Sequence, residues 1–218
     1  MKSVLVFCPV HPARGLEPLT EAAISQLTYP RREVWVSYGD NPWEHESGLT
    51  AGRYNILQNY RKARTLFLAG GFDYLMTIES DMTPPGDVIE RLMAADADVA
   101  YSLYCFRQSH RWNAFKEFHL GWGRSLTTFP DYARSIFGQV VEVPGCGLGA
   151  TLIRRNVLET LDFRGYHGTS CDGWFALDCQ AAGFTQKCDT GCVSGHLDGD
   201  AWLWPSIESE TLVSIEPV

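Results

Sequence analysis

The stretch "FDYLMTIESDMTPPGDV", residues 72–88, sets an apolar run directly against acidic residues. The run before Glu79 has the length and composition of a buried strand, and Pro84 and Pro85 suit the start of a following helix. Glu79 and Asp81 therefore stand where a strand ends. Two carboxylates this close repel each other unless they face water or share a cation. Two interpretations stay open on spacing alone: a site for a divalent cation, or a solvated turn that caps the next helix.

Strand-like and helix-like segments alternate on both sides of this stretch. Their apolar spacing predicts strands over residues 3–8, 32–38, 73–79 and 97–105, and helices over 15–27 and 49–69, after Pro85, from about Arg154 and over 171–184. This alternation predicts an α/β domain with a mostly parallel sheet and helices on both faces. In such sheets, ligands bind beyond the carboxyl ends of the strands, where Glu79 and Asp81 stand. Residues 106–139 lose this regularity and are predicted to form a functional loop.

Composition narrows the class of protein. The chain has 218 residues, which suit one domain, and a formal net charge of −8 that disfavours nucleic acid as a partner. The apolar runs are strand-sized, far below the roughly 20 residues of a membrane span, and the first residues lack a signal-peptide pattern. We therefore expect a cytoplasmic protein that does not engage a membrane. The seven cysteines are scattered and do not indicate a disulfide framework. Zinc bound by Cys188, Cys192 and His196 is an alternative use of three of these side chains.

Four segments together resemble one enzyme family. "DYLMTIESDMTPPGDVIERLMAADADVAYSLY", residues 73–104, is similar to the central segment of glycosyltransferases of the GT-A fold. The likeness continues in "CPVHPAR" after the first strand, in an acidic turn at Asp40, in "GCGLGATLIRR" and in "CDGWFALDCQAAGF". The resemblance, to the family 2-like inverting members, implies a Rossmann-like GT-A sheet. It also implies transfer of a sugar from a UDP- or GDP-sugar donor to a hydroxyl acceptor with inversion.

The resemblance also implies roles for individual residues. Asp81 would coordinate Mn²⁺ or Mg²⁺, and His196 would be a ligand from the C-terminal part of the chain. Glu79 would be the third residue of the metal site, in contact with the nucleotide ribose or metal-bound water. Asp172 would be the catalytic base, and Asp178 is a weaker candidate for that role. Glu79 departs from the family pattern, which usually has Asp there, and Cys171 stands where the family often has Glu.

The other residues that the resemblance implies would contact the nucleotide-sugar donor. Asp40 would bind the base, and Arg53 would reach the phosphates. Gly147 would allow close approach of the donor sugar. The remaining donor contacts are Pro9, His11, Arg14 and Ser80.

The resemblance divides the single domain into a donor-binding half, residues 1–105, and an acceptor and catalytic half, residues 106–218. The class of acceptor stays open. A sugar-phosphate nucleotidyltransferase is one alternative, although it normally has a Gly-rich basic loop after the first strand, where "CPVHPARGLEP" offers one Arg and one Gly. A non-catalytic nucleotide-sugar or carbohydrate-binding module is the other, with the acidic residues serving as caps and turns.

Overall fold

The structure is a computed structural model that describes residues 1–10, 15–38, 51–120, 122–165 and 170–218, and of residues 51 and 52 the backbone alone. Within these ranges the helices are α1 (Pro18–Ser25), α2 (Ala51–Gly70), α3 (Val88–Ala94), α4 (Pro130–Ile136), α5 (Arg155–Thr160) and α6 (Cys171–Ala182). The strands are β1 (Val4–Val10), β2 (Arg32–Tyr38), β3 (Tyr74–Ile78), β4 (Met82–Thr83), β5 (Val99–Leu103), β6 (Phe115–His119), β7 (Trp122–Ser125), β8 (Val140–Glu142), β9 (Ala150–Arg154), β10 (Gln186–Val193), β11 (Gly195–Asp198), β12 (Ala201–Pro205) and β13 (Val213–Pro217).

The central sheet has the strand order β2-β1-β3-β9-β5-β10-β8. Strand β1 is parallel to β2 and to β3, and β5 is parallel to β10. Strand β9, however, is antiparallel to both β3 and β5, and β8 is antiparallel to β10. The prediction of a mostly parallel, Rossmann-like GT-A sheet is therefore wrong. The prediction fails at β9, because its buried apolar run predicts a strand but does not indicate the direction in which that strand runs.

Antiparallel structure also occurs outside the central sheet. Strands β13, β12, β11 and β4 form a second sheet in that order, and β6 pairs with β7. The prediction of an irregular segment over residues 106–139 is wrong for β6, β7, α4 and a short 3-10 helix, Leu126–Thr128. The sequences of β6 and β7, "FKEFH" and "WGRS", lack the alternation of buried and exposed residues that marks a strand.

The predicted helices and the strands of the first 105 residues are confirmed to within three residues at each end. Helix α2 ends before Gly71, whose φ of +72° is a left-handed conformation that glycine adopts without strain, and α6 ends in the same way at Gly183 with a φ of +76°.

Strand β1 is buried on both sides, and its side chains alternate between two cores. Leu5 and Phe7 pack in one cluster with α2 and α6, whereas Val4 and Val6 pack in the other with α1 and α3. Helices thus cover both faces of the central sheet, and the ends of the strands stay open to a ligand. None of the helices in the described part of the chain is long and apolar enough to cross a bilayer. All seven cysteines are buried, and none of them forms a disulfide.

Asp73, at the entrance to β3, fastens this strand to the start of β1. Its carboxylate accepts hydrogen bonds from the Ser3 backbone N–H at 2.7 Å, the Ser3 hydroxyl at 3.0 Å and Lys2 Nζ at 3.0 Å. The Ser3 backbone hydrogen bond is the largest cause that lowers the pKa of Asp73 to about 2, against a smaller opposing effect of burial. The folded protein therefore favours the ionised carboxylate.

We expect Asp73→Asn to lower the free energy of unfolding by about 1 kcal/mol at pH 7, a value discounted because the side chain is 34% exposed. The folded pKa lies below the unfolded value of about 3.9, so this stabilisation is complete above about pH 4 and disappears as the pH falls toward 2. Urea unfolding at pH 7 and at pH 2.5 measures it, with Asp200→Asn, an exposed residue outside the helices, as control. A difference between wild type and variant that is equal at both pH values would contradict the assignment.

Candidate functional site

A cleft of about 930 Å³ opens where β1, β3 and β5 end. Its wall also includes the first turns of α2, the start of α6 and part of β11. Several residues that the sequence analysis selects meet there: Pro9, Arg53, Glu79, Ser80, Asp81, Asp172 and His196. Gly147 is not part of the cleft wall. It packs against Tyr104, since a Cβ added to Gly147 would be 2.1 Å from Tyr104 Oη. His11, Arg14 and Asp40 lie outside the described residues.

The turn after β3 is held by backbone hydrogen bonds from three directions. Glu79 N donates to Gly149 O at 2.8 Å, Glu17 N donates to Ser80 O at 3.2 Å, and Leu197 N donates to Asp81 O at 3.0 Å. These bonds tie the turn to the start of β9, to the chain before α1 and to β11. Because every residue of the turn is anchored, the side chains of Glu79 and Asp81 have fixed starting points in the cleft.

His196 is buried, with 5% of its surface exposed, and its two ring nitrogens have different surroundings. Nδ1 lies 2.7 Å from the carbonyl oxygen of Cys105, and since a carbonyl only accepts, Nδ1 carries the proton. Nε2 has no hydrogen-bond partner among the described residues and faces Asp81 Oδ1 at 3.7 Å, too far for a hydrogen bond. In the neutral ring, Nε2 thus presents a lone pair to the cleft, as a metal-binding histidine does.

The two oxygens of Asp81 have different neighbours. Oδ1 faces His196, and Oδ2 pairs with Arg107 Nη1 at 2.9 Å. Burial by itself would raise the pKa of this carboxyl, but the positive charges of a protonated His196 ring and of Arg107 outweigh it and hold the pKa below its ordinary value. Asp81 is therefore an anion at neutral pH.

Glu79 has a different environment although it is only two residues away. Its Oε1 accepts a hydrogen bond from the Tyr60 hydroxyl at 2.9 Å. Burial, followed by the charge of Asp81, raises the pKa of Glu79 to about 7, while a protonated His196 ring opposes this shift. The charge of Asp172 raises the pKa of Glu79 as well. Glu79, Asp81 and Asp172 all line the cleft.

The residues that face each other fit a hard divalent ion. Across the described ranges there is no group of three or more His, Cys, Asp or Glu side chains arranged to hold a metal. Mg²⁺ and similar ions, however, often take only one or two protein ligands and leave places for water and substrate phosphates. Ligand bonds of about 2.1 Å can join atoms up to about 4.2 Å apart, so the 3.7 Å between His196 Nε2 and Asp81 Oδ1 suits a shared ion. The unpartnered Nε2 fits the same role.

Zinc on Cys188, Cys192 and His196 receives no comparable support. Cys188 and Cys192 are both fully buried, and burial followed by the proximity of Cys188 raises the pKa of the Cys146 thiol.

Asp172 lies in the first turn of α6, where the positive end of the helix dipole favours a carboxylate. A Cβ placed on Gly147 would be 3.5 Å from Asp172 Oδ2, so the Gly-rich turn before β9 passes close to this acid. Asp178, the weaker candidate, is not part of the cleft wall and pairs with Arg164 Nε at 2.7 Å and Arg164 Nη2 at 2.5 Å. Of the two acids of α6, Asp172 is the one positioned for chemistry in the cleft.

Comparison with known proteins shows the fold and nothing finer. No family model matches the chain, and no curated protein matches it either. Among solved structures, the crystal structure of A197 from STIV is similar, with a TM-score of 0.63 and 15% sequence identity over 99% of this chain and 93% of that chain. At this level of identity, the likeness indicates a shared fold.

The cleft also contains residues that the sequence analysis did not select. Arg107 comes shortly after β5, and the rule that ligands bind beyond strand ends would have pointed to it. Tyr60, in α2, and Tyr104, directly after β5, were not distinguishable, since a buried aromatic residue in or next to such an element has the sequence pattern of a core residue.

Proposed function

We propose that this protein is a metal-dependent glycosyltransferase that moves a sugar from a UDP- or GDP-sugar donor to a hydroxyl acceptor with inversion. The observation that carries the proposal is the pair formed by His196 and Asp81. A buried imidazole whose Nε2 is unpartnered among the described residues faces an ionised carboxylate at 3.7 Å inside a cleft of about 930 Å³. Such a pair suits Mn²⁺ or Mg²⁺ with substrate phosphates as further ligands.

The charges around the pair suit a nucleoside diphosphate. The protein has a net charge of −8, but Arg53 and Arg107 both lie in the cleft wall. When bound, a divalent ion would offset the negative charge that grows on the departing diphosphate. Asp81 and His196 would hold that ion, and the two arginines would bind and orient the phosphates.

Asp172 would act on the acceptor. As the acceptor oxygen attacks the anomeric carbon, its proton passes to the Asp172 carboxylate. A new bond forms between the carbon and the acceptor oxygen, and the bond between the carbon and the diphosphate oxygen breaks. Because this is a single displacement, the anomeric configuration inverts. A carboxylate at the start of α6 is well suited to this role, since it is fixed on a helix and faces the cleft.

The test is thermal unfolding with UDP and GDP in the presence and absence of Mn²⁺. A diphosphate at about 100 times its Kd should stabilise the fold by about 2.7 kcal/mol. For a domain of this size, that raises the midpoint by about 5–10 °C. His196→Asn should lose the part of this shift that depends on Mn²⁺, because the Asn amide can still donate toward Cys105 O but provides no ring nitrogen at the position of Nε2.

The exposed His119→Asn serves as the matched control and should behave as wild type. If neither diphosphate shifts the midpoint with Mn²⁺ present, the proposal is wrong. Release of pyrophosphate from a nucleoside triphosphate and a sugar 1-phosphate would instead establish a nucleotidyltransferase. Binding of nucleotide sugars without any transfer across a broad acceptor panel would establish a non-catalytic module.

A further inference from the structure

We infer that Arg107 exchanges partners during donor binding: it neutralises Asp81 in the free protein and moves to the diphosphate when the donor and the metal arrive. This inference rests on the proposed function and adds to it a coupling between the metal and the diphosphate through one side chain. Before the diphosphate binds, Arg107 competes with the ion for Asp81. Once the diphosphate is bound, Arg107 contacts the diphosphate, which is the leaving group.

The first support is the division of the Asp81 carboxylate. Arg107 Nη1 lies 2.9 Å from Oδ2, while Oδ1 faces Nε2 of His196. A guanidinium and a divalent cation on the same carboxylate repel each other, and the Asp81 side chain is only 18% exposed, which limits screening by water. Binding of the ion therefore weakens the pair between Asp81 and Arg107.

The second support is the position of Arg107 relative to the cleft. Its side chain is 41% exposed and belongs to the cleft wall, so it can turn toward a bound ligand without leaving a closed core. A guanidinium matches phosphate oxygens with two parallel N–H donors and is weakly hydrated, which makes phosphate a strong alternative partner. A diphosphate bound next to Asp81 offers that partner within the reach of a long side chain.

The third support is the loop that carries Arg107, residues 106–111, whose backbone is held in place. Phe106 N donates to Arg111 O at 2.7 Å, and His110 N donates to Phe106 O at 3.1 Å. On its outer side, Gln108 N donates to Asp198 Oδ2 at 2.9 Å, and His110 Nε2 lies 3.4 Å from the same oxygen. The exchange therefore needs only a change of the Arg107 side chain.

The fixed backbone is reinforced by its conformation. Gln108 and His110 have φ values of +63° and +48°, in the left-handed region that non-glycine residues seldom adopt. Such residues persist only where surrounding contacts impose them, here the two contacts with Asp198. The loop thus presents the Arg107 stem at one place beside the cleft.

The inference predicts effects of opposite sign for Arg107→Gln. Mn²⁺ alone should bind more tightly to the variant, since the competing cation is gone. UDP or GDP at saturating Mn²⁺ should bind more weakly, by about tenfold to 100-fold, the usual value of a hydrogen bond between charged groups. A uridine or guanosine monophosphate should lose less affinity. If Arg107 only stabilised the loop, its replacement would weaken the binding of Mn²⁺, of the diphosphate and of the monophosphate alike.

The experiment is a calorimetric titration of wild type, Arg107→Gln and Arg107→Lys with Mn²⁺ alone and then with UDP or GDP at saturating Mn²⁺. Arg107→Lys keeps the charge but not the two parallel donors, so its Mn²⁺ affinity should stay near wild type while its diphosphate affinity falls. Arg111→Gln, in the same loop, exposed and outside the cleft wall, is the control and should match wild type.

The outcomes separate this inference from the proposed function. If wild type binds Mn²⁺ and a diphosphate but Arg107→Gln weakens both or alters neither, the exchange is disproved and the proposed function stands. If wild type binds no diphosphate with Mn²⁺ present, the proposed function fails, and the inference fails with it. Tighter Mn²⁺ binding together with weaker diphosphate binding in Arg107→Gln supports both.

Discussion

Asp81→Asn is expected to lower the rate of sugar transfer by about 10³-fold, one of the two largest losses that we predict for a single substitution. The carboxamide has nearly the same shape, so packing is preserved, but it carries no charge for the ion or for Arg107. Stabilisation of the leaving group by a bound metal is worth several kcal/mol, and each 1.36 kcal/mol is a factor of about ten in rate. The measurement is the turnover of a UDP- or GDP-sugar by wild type and by Asp81→Asn over a range of Mn²⁺ concentrations.

The same variant has a second, independent readout. Its affinity for UDP or GDP should no longer depend on Mn²⁺, because His196 alone offers the ion one nitrogen and no carboxylate. Asp131→Asn removes an exposed carboxylate outside the cleft and should retain both activity and metal dependence. An Asp81→Asn protein with wild-type turnover and an unchanged response to Mn²⁺ would show that this residue does not hold the ion.

Asp172→Asn is expected to reduce turnover by about 10²- to 10⁴-fold, the usual contribution of a general base, while UDP or GDP binding changes little. The amide cannot accept a proton from the acceptor hydroxyl. Because Asp172 lies at the start of α6 and the Asp81 carboxylate faces Arg107 and His196, metal and diphosphate binding should survive the substitution. Comparison of kcat with the calorimetric Kd of the diphosphate separates these two effects.

Asp178→Asn is the matched control for the second variant, since the same residue type is exchanged on the same helix. Asp178 pairs with Arg164, so its replacement should lower the unfolding midpoint but leave turnover at temperatures well below that midpoint unchanged. If Asp172→Asn loses diphosphate affinity in proportion to its rate, Asp172 serves binding, and the assignment as a base is incorrect.

The acidic turn could be predicted because its signal is local. Strand β3 is a short buried run, and the residues directly after a buried strand lie at the edge of the sheet. Glu79 and Asp81 can therefore be placed at a strand end without knowledge of any neighbour. Helix α6 was predictable for a similar reason, since its apolar spacing and Gly183 lie within one short segment.

The remaining features depend on partners that are distant in sequence. Nothing within "ATLIR" tells that β9 runs antiparallel, because its direction is set by the strands on either side. The pairing of Arg107 with Asp81 likewise joins residues 26 positions apart through the shape of a loop. That Tyr60 donates to Glu79, rather than only filling the core, depends on how α2 packs against the sheet.

The insertion of β9 between β3 and β5 has a consequence for how the molecule assembles. Strands β3 and β5 do not pair with each other, and each of them pairs with β9 in the central sheet. A nascent chain that has emerged only as far as residue 149 therefore has β1, β2 and β3 on one side and β5 on the other, with no strand to join them. Residues 150–154 pair with both β3 and β5 and so join the two parts of the sheet. The turn before them packs beside Asp172 once α6 has formed. Closure of the sheet during synthesis thus also puts one wall of the cleft in place.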